Sequence, residues 1–157
     1  MELIKWNDQF ATGIAGIDHE HAELIEMINS FYSKLTKNSD KNALVNMLND
    51  IYGVIHAHFM LEEKLMKRHD YSEYKEHSND HARLLDDLRD MAIDLETSPD
   101  FDELQLKIKL NGWFFIHFKT FDSRLHKLEQ LIASNEGATN ESSSRLKKLQ
   151  AKFLTKK

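Results

Sequence analysis

Apolar residues in this chain recur every three or four positions through four long stretches, and over no useful length do they alternate in twos. A side chain advances about 100° per residue around an α-helix and about 180° along a strand, so the pattern predicts helices and no sheet. The first stretch holds Ile14, Ile17, Leu24, Ile25, Ile28, Phe31, Tyr32 and Leu35, with Asp18 placed to cap a helix running to about residue 37. After the turn-like KNSDKN, a second holds Leu44, Leu48, Ile51, Tyr52, Ile55, Phe59 and Met66, over about 41–68, with Gly53 inside it. The third, Tyr74, Leu84, Leu85, Leu88, Met91 and Leu95, covers about 72–95 and stops at ETSPD, which holds the only proline. Asp100 with Glu103 resembles a capping box and opens a fourth helix, expected to run to about residue 134 before NEGATNESSS.

Four such helices on short connections favour an all-α fold, an antiparallel up-down-up-down four-helix bundle over residues 1–136 with a short N-terminal arm. Residues 137–157 form a polar linker and a basic tail, in which Leu146, Leu149, Phe153 and Leu154 stand against six basic residues. The tail reads as a short amphipathic helix that either packs on the bundle or serves as a connector or docking segment for a protein partner.

The 157 residues, 41% hydrophobic and 30% charged, suit one compact domain. Net charge is -5 with both signs interspersed, so neither nucleic acid nor an anionic membrane surface is an expected partner. The start MELIKWNDQF has no basic region leading into an apolar run, and WFFIHF is too short to span a bilayer, so a cytoplasmic protein is expected. There is no cysteine, which excludes thiolate metal sites and thiol catalysis and leaves nitrogen and oxygen as the only metal donors.

Nine histidines are then the conspicuous feature. Register places His21 with Leu24, Ile25 and Ile28, and His58 with Glu62 in the stripe of Ile51, Ile55 and Phe59. It places His77 and His81 one turn apart on the inner face of the third helix, and His117 within the stripe of Leu110, Phe114, Phe121 and Leu128. His19, His56, His69 and His126 fall on wet faces or edges. An inward glutamate beside inward imidazoles asks for a cation, because burying an unpaired carboxylate costs several kcal/mol. Asp122 is ambiguous: five residues past His117 is about 140° around a regular helix, and His126 four residues further on offers a plain side-chain pair.

Five imidazoles and one or two carboxylates exceed the donor need of one ion and suit two ions of five or six ligands sharing carboxylates. Nitrogen-rich ligation disfavours magnesium and calcium and points to iron, with manganese a lesser option. The pattern differs from the Glu-x-x-His di-iron carboxylate sites of ferritin-like bundles, and its few anionic ligands favour binding oxygen over activating it. Leu24, Phe59, Trp113, Phe114 and Phe118 lie beside these residues and would wall a dry pocket without acid groups.

The ordered set GIDHEHAEL with His21, HFMLEE with His58 and Glu62, HSNDH with His77 and His81, and WFFIHFKTFD with His117 and Asp122 resembles bacterial hemerythrin, a family of non-haem di-iron oxygen-binding proteins. All seven ligand positions of that family's pattern are matched over about residues 4–132, and Trp6 and GIAGID from Gly13 fit its lead-in. The resemblance implies one iron on His77, His81 and His117, another on His21 and His58, and bridging by Glu62, Asp122 and an oxo or hydroxo group. It implies reversible oxygen binding at the second iron, for storage or delivery to oxygen-requiring enzymes, so the chain is not expected to be an enzyme itself. The rival readings are an oxygen or redox sensor acting through a partner and a di-iron scavenger of peroxide or nitric oxide. Phe114 stands where the family commonly has leucine, which bears on pocket size and oxygen affinity. Ligation by Asp122 would need a widened turn or other irregularity between His117 and Asp122.

Overall fold

The computed structural model describes residues 3–35, 40–99 and 101–154. Helices α1 (Ala15–Leu35), α2 (Lys41–Arg68), α3 (Tyr74–Thr97), α4 (Glu103–Thr120) and α5 (His126–Leu154) follow in order, with 3-10 turns at Asp8–Phe10 and Asp122–Leu125. No strand occurs among the described residues. The fold is the four-helix bundle the periodicity requires, except that its fourth column is interrupted. α4 ends at Thr120, Phe121 keeps a right-handed conformation (φ -107, ψ -59), and the chain resumes as the 3-10 turn and α5.

The helix starts differ from expectation in two places. Asp18 is not the cap of α1 but lies inside its first turn. Its carboxylate reaches back to accept from the Thr12 N–H (2.7 Å), the Thr12 hydroxyl (2.8 Å) and the Gly13 N–H (3.1 Å). That geometry uses Gly13 at φ +83, a conformation that other residues adopt only under strain. An anion here also suits the positive end of the helix dipole. Asp100 lies outside the described residues; Asp102 caps α4 by accepting from the Gln105 N–H at 3.0 Å. Asp40 caps α2 through the Ala43 N–H, while the preceding part of KNSDKN, residues 37–39, lies outside the described residues.

The fourth helix does not stop near residue 134. α5 runs through Gly137 and the serines to Leu154, so NEGATNESSS is helical. The hydroxyls of Ser134, Thr139 and Ser142 donate to the carbonyls of Gln130, Glu136 and Ala138 within the same helix, instead of drawing the backbone into a turn. Every residue from 133 to 145 is exposed. The side chains of Leu146, Leu149, Phe153 and Leu154, on which packing of the tail would rest, lie outside the described residues.

The apolar core falls into two parts. The larger runs from Ile4 and Phe10 through Leu24, Phe59 and Leu84 to Phe118; the smaller contains Ile17, Met66, Tyr71, Leu125 and Leu128. Asn29 ties the N-terminal arm to α1, accepting from the N–H groups of Leu3 and Ile4 and donating to the Ile4 carbonyl. No helix among the described residues is long and apolar enough to cross a membrane.

Candidate metal centre

Between the two apolar clusters lies a polar layer, to which every column contributes. His21 stands between Ile17 and Leu24 on α1; His58 and Glu62 between Ile55 and Met66 on α2; His77 and His81 between Tyr71 and Leu84; His117 and Asp122 between Phe114 and Leu125. All seven are buried, and Glu62 and Asp122 are wholly inaccessible.

The two carboxylates sit at the middle and divide their oxygens. Glu62 turns Oε1 to the Nε2 atoms of His21 (3.5 Å) and His58 (3.2 Å), and Oε2 to those of His77 (3.6 Å) and His81 (3.1 Å). Asp122 turns Oδ1 to His77 (3.1 Å) and His117 (3.0 Å), and Oδ2 to His21 (3.3 Å). None of these approaches is a hydrogen bond: all five Nε2 atoms and all four carboxylate oxygens are buried without a hydrogen-bond partner. Buried polar atoms left in that condition are costly. Donors about 2.1 Å from one ion lie roughly 3.0 Å apart along an octahedral edge, so the observed spacing suits donors that share cations. Two overlapping sets form, Glu62, His77, His81, His117 and Asp122 in one and His21, His58 and Glu62 in the other.

Three of these histidines meet a further carboxylate through their outward ring nitrogen, whereas His21 Nδ1 is buried without a hydrogen-bond partner. His58 Nδ1 meets Glu20 at 2.7 Å, His81 Nδ1 meets Glu63 at 3.1 Å, and His117 Nδ1 meets Asp80 at 2.8 Å. An acid behind an imidazole fixes its Nδ1–H tautomer and leaves the Nε2 lone pair aimed inward. Glu20, Glu63 and Asp80 were not anticipated from sequence, although each neighbours a candidate ligand in HEH, LEE or NDH and the second-partner habit of ligating histidines was signal enough to seek them.

Burial pushes His58 and His117 down, but the Glu62 charge on one and the Asp122 charge on the other outweigh it and hold them up at about 9 and about 10. Burial pushes Glu62 and Asp122 up; the surrounding imidazoles overcome this and hold both carboxyls well below their usual range. For His81 burial dominates and its pKa is lowered despite Glu62. Without a metal the two carboxylates therefore favour the charged forms of His58 and His117.

The four histidines read as peripheral are peripheral. His19 lies 3.4 Å from Glu23 on the wet face of α1, His56 stacks on Tyr52, and His69 meets Asn135. His126 engages the Ser123 carbonyl at 2.8 Å, which removes the alternative of an Asp122–His126 pair. Phe121, placed inward by its register, is only half-buried, while Asp122 is fully enclosed.

The five expected wall residues are all buried. Phe59 stacks on His81 with ring centres 3.7 Å apart and lies 5.9 Å from His58; Phe118 meets His21 at 4.7 Å. Phe114 packs on Phe118 at 5.7 Å, and Trp113 on Phe114 at 4.2 Å, which sets Trp113 one ring further out.

A helical bundle with a buried layer of histidines around shared carboxylates defines a cation-binding domain. The chain belongs to the hemerythrin family: the family model described as Hemerythrin HHE cation binding domain matches residues 12–129, taking in all seven residues of the layer. The chain is 25% identical over 137 residues to a bacteriohemerythrin of Pseudomonas aeruginosa (strain LESB58), covering 84% of this chain and 88% of that protein. It is 25% identical over 122 residues to one of Stenotrophomonas maltophilia (strain R551-3), covering 78% of each. No solved structure gives a significant match.

Proposed function

We propose that this chain binds molecular oxygen reversibly at a non-haem centre of two iron ions bridged by Glu62, Asp122 and an oxo or hydroxo group, storing oxygen or delivering it to consumers in the cytoplasm. The observation that carries the reading is the division of each central carboxylate, one oxygen to each histidine group. Iron, when bound, supplies the electrons that make oxygen binding possible and reversible.

The chain's own residues account for selectivity between the two positions. His77, His81 and His117 with one oxygen from each carboxylate make five donors on one side. His21 and His58 with the other two oxygens make four, so room for a small ligand is on the His21 side. Phe118 and Leu24 make that side apolar, and its carboxyls, Glu62 and Asp122, are both held ionised, so they have no proton to give. Glu20 lies behind the outward nitrogen of His58. A dry wall without a proton donor favours release of the bound molecule over turnover, which supports a carrier and not an enzyme.

The test is anaerobic loading with ferrous iron followed by cycles of air and argon. A visible absorption change that appears in air, vanishes under argon and repeats is the expected result; prompt irreversible oxidation with turnover of added peroxide refutes carriage. His77→Ala is expected to lower bound iron below two per chain, and retention of two ends the assignment of that ligand. The exposed run 133–145 of α5 favours a second reading, a sensor that signals through a partner on this helix. Deleting 138–157 separates the two, since loss of a partner with unchanged oxygen binding selects the sensor.

A further inference from the structure

α4 is apolar on both sides. Leu106, Leu110, Trp113, Phe114 and Phe118 are buried in the bundle, yet on the opposite side Leu104 (61%), Ile108 (55%), Phe115 (50%) and Ile116 (57%) stand in solvent. A helix on the outside of a bundle needs one apolar stripe; a second apolar stripe on its exposed side marks a surface that a neighbour can cover. Leu104, Ile108, Gly112 and Ile116 follow at every fourth residue and form a single ridge, with Phe115 beside it.

Gly112 lies in the middle of this ridge. A Cβ added there would meet nothing within 4 Å, so the chain's own fold gives no reason for glycine at a position where almost any residue favours helix more. Another backbone approaching closely supplies the reason. The hollow around it is lined by Ile108, Gly112 and Ile116, with Arg83, Asp87 and Asp90 of α3 and Lys109 of α4 as its charged residues, Arg83 being paired to Asp87 at 3.1 Å. A lining carrying both signs complements itself, whereas a uniformly basic or acidic partner would leave one sign unmatched.

We propose that this face binds a second copy of the chain, the two α4 helices packing antiparallel about a two-fold axis at Gly112. Such a contact is isologous. Ile108 of each copy lies against Ile116 of the other, and the glycines meet at the crossing. The contact is independent of what the metal layer holds.

Sedimentation of the full chain from about one to several hundred micromolar is expected to show a concentration-dependent dimer. Ile108→Lys raises the dimer Kd about tenfold or more, and adding Ile116→Glu, which meets position 108 across the axis, restores association. Gly112→Leu abolishes the dimer while leaving the thermal midpoint equal or higher, which separates loss of contact from loss of fold. Deleting 138–157 leaves the dimer intact. A monomer at every concentration, a dimer indifferent to both single substitutions, or a dimer lost with the tail each overturns the proposal.

Discussion

Replacing Glu62 by Gln removes the charge at the centre of the polar layer and keeps the shape of the side chain. In metal-free protein, burial disfavours the His58 cation, but the Glu62 carboxylate, aided by Glu20, raises its pKa from 6.5 to about 9. A raised folded pKa contributes stability in full below 6.5 and loses it as pH climbs to about 9. The gap is worth about 3 kcal/mol when fully expressed and somewhat less at pH 7. Glu62 is held low by the same contacts, which is the other face of one interaction and adds nothing further. Glu62→Gln is therefore expected to lower the unfolding free energy of the metal-free chain at pH 7 by about 2 to 4 kcal/mol. Urea unfolding of chelator-treated protein, followed by circular dichroism between about pH 6 and pH 10, checks both the loss and its pH dependence. Wild type should weaken across that window; the variant should weaken less, keeping only the share carried by His117 and Asp122. A variant within about 0.5 kcal/mol of wild type, or one with the wild-type slope, would falsify the electrostatic account of the layer.

Metal uptake tests the same groups from the other side. His58 and His117 are protonated at neutral pH in metal-free protein and must be neutral to ligate, so loading should release about two protons per chain, read with an indicator dye in weak buffer; no release contradicts the assignment. Tyr71 donates to the Arg124 carbonyl at 3.1 Å, and burial, with the Glu73 charge, pushes its phenol to about 12. Its contribution to stability is complete below pH 10 and lost from 10 to about 12, so ultraviolet titration should show one late-ionising tyrosine that disappears in Tyr71→Phe. Asp18→Ala removes three hydrogen bonds to Thr12 and Gly13 at the entry to α1 and should cost about 2 kcal/mol, lowering the thermal midpoint by several degrees; an unchanged midpoint argues against a stabilising role for these bonds.

What could be read from sequence was what depends on the face of a regular helix. His21, His58, Glu62, His77 and His81 share faces with leucines and isoleucines, and register alone brings them into the core. Asp18 and Asp102 show the limit at helix ends, where several acids compete and the folded path of the preceding residues decides which one caps. The continuation of α5 was hidden for a related reason: serine and threonine hydroxyls satisfy either a turn or the helix carbonyls, and the choice is not written in residue type. Glu20, Glu63 and Asp80 stand at the edges of the inner faces, where periodicity assigns them to solvent. Only the positions of the imidazoles they contact give them a role.

Asp122 was the residue periodicity could least decide, and its placement shows which force wins. A regular continuation, His117, Phe121, Leu125 and Leu128, keeps an apolar residue at each inward step and puts Phe121 in the core. The chain instead interrupts the helix at Phe121 and tightens into a 3-10 turn, in which residues three apart lie over one another. Asp122 and Leu125 then both turn inward, Asp122 into the polar layer and Leu125 into the smaller apolar cluster. Interrupting the column forfeits one or two backbone hydrogen bonds, at about 1 kcal/mol each. Against that, the pKa of His117, held at about 10 chiefly by Asp122, corresponds to about 4 kcal/mol at pH 7 even before any metal binds. Phe121 is not wasted by the slip: its ring lies 5.3 Å from His77 and 5.7 Å from His117, with the Arg124 guanidinium 5.8 Å from its centre. The apolar pattern favoured the wrong one of two adjacent residues because it weighs burial of a ring, and here the charge of the neighbouring carboxylate is worth more.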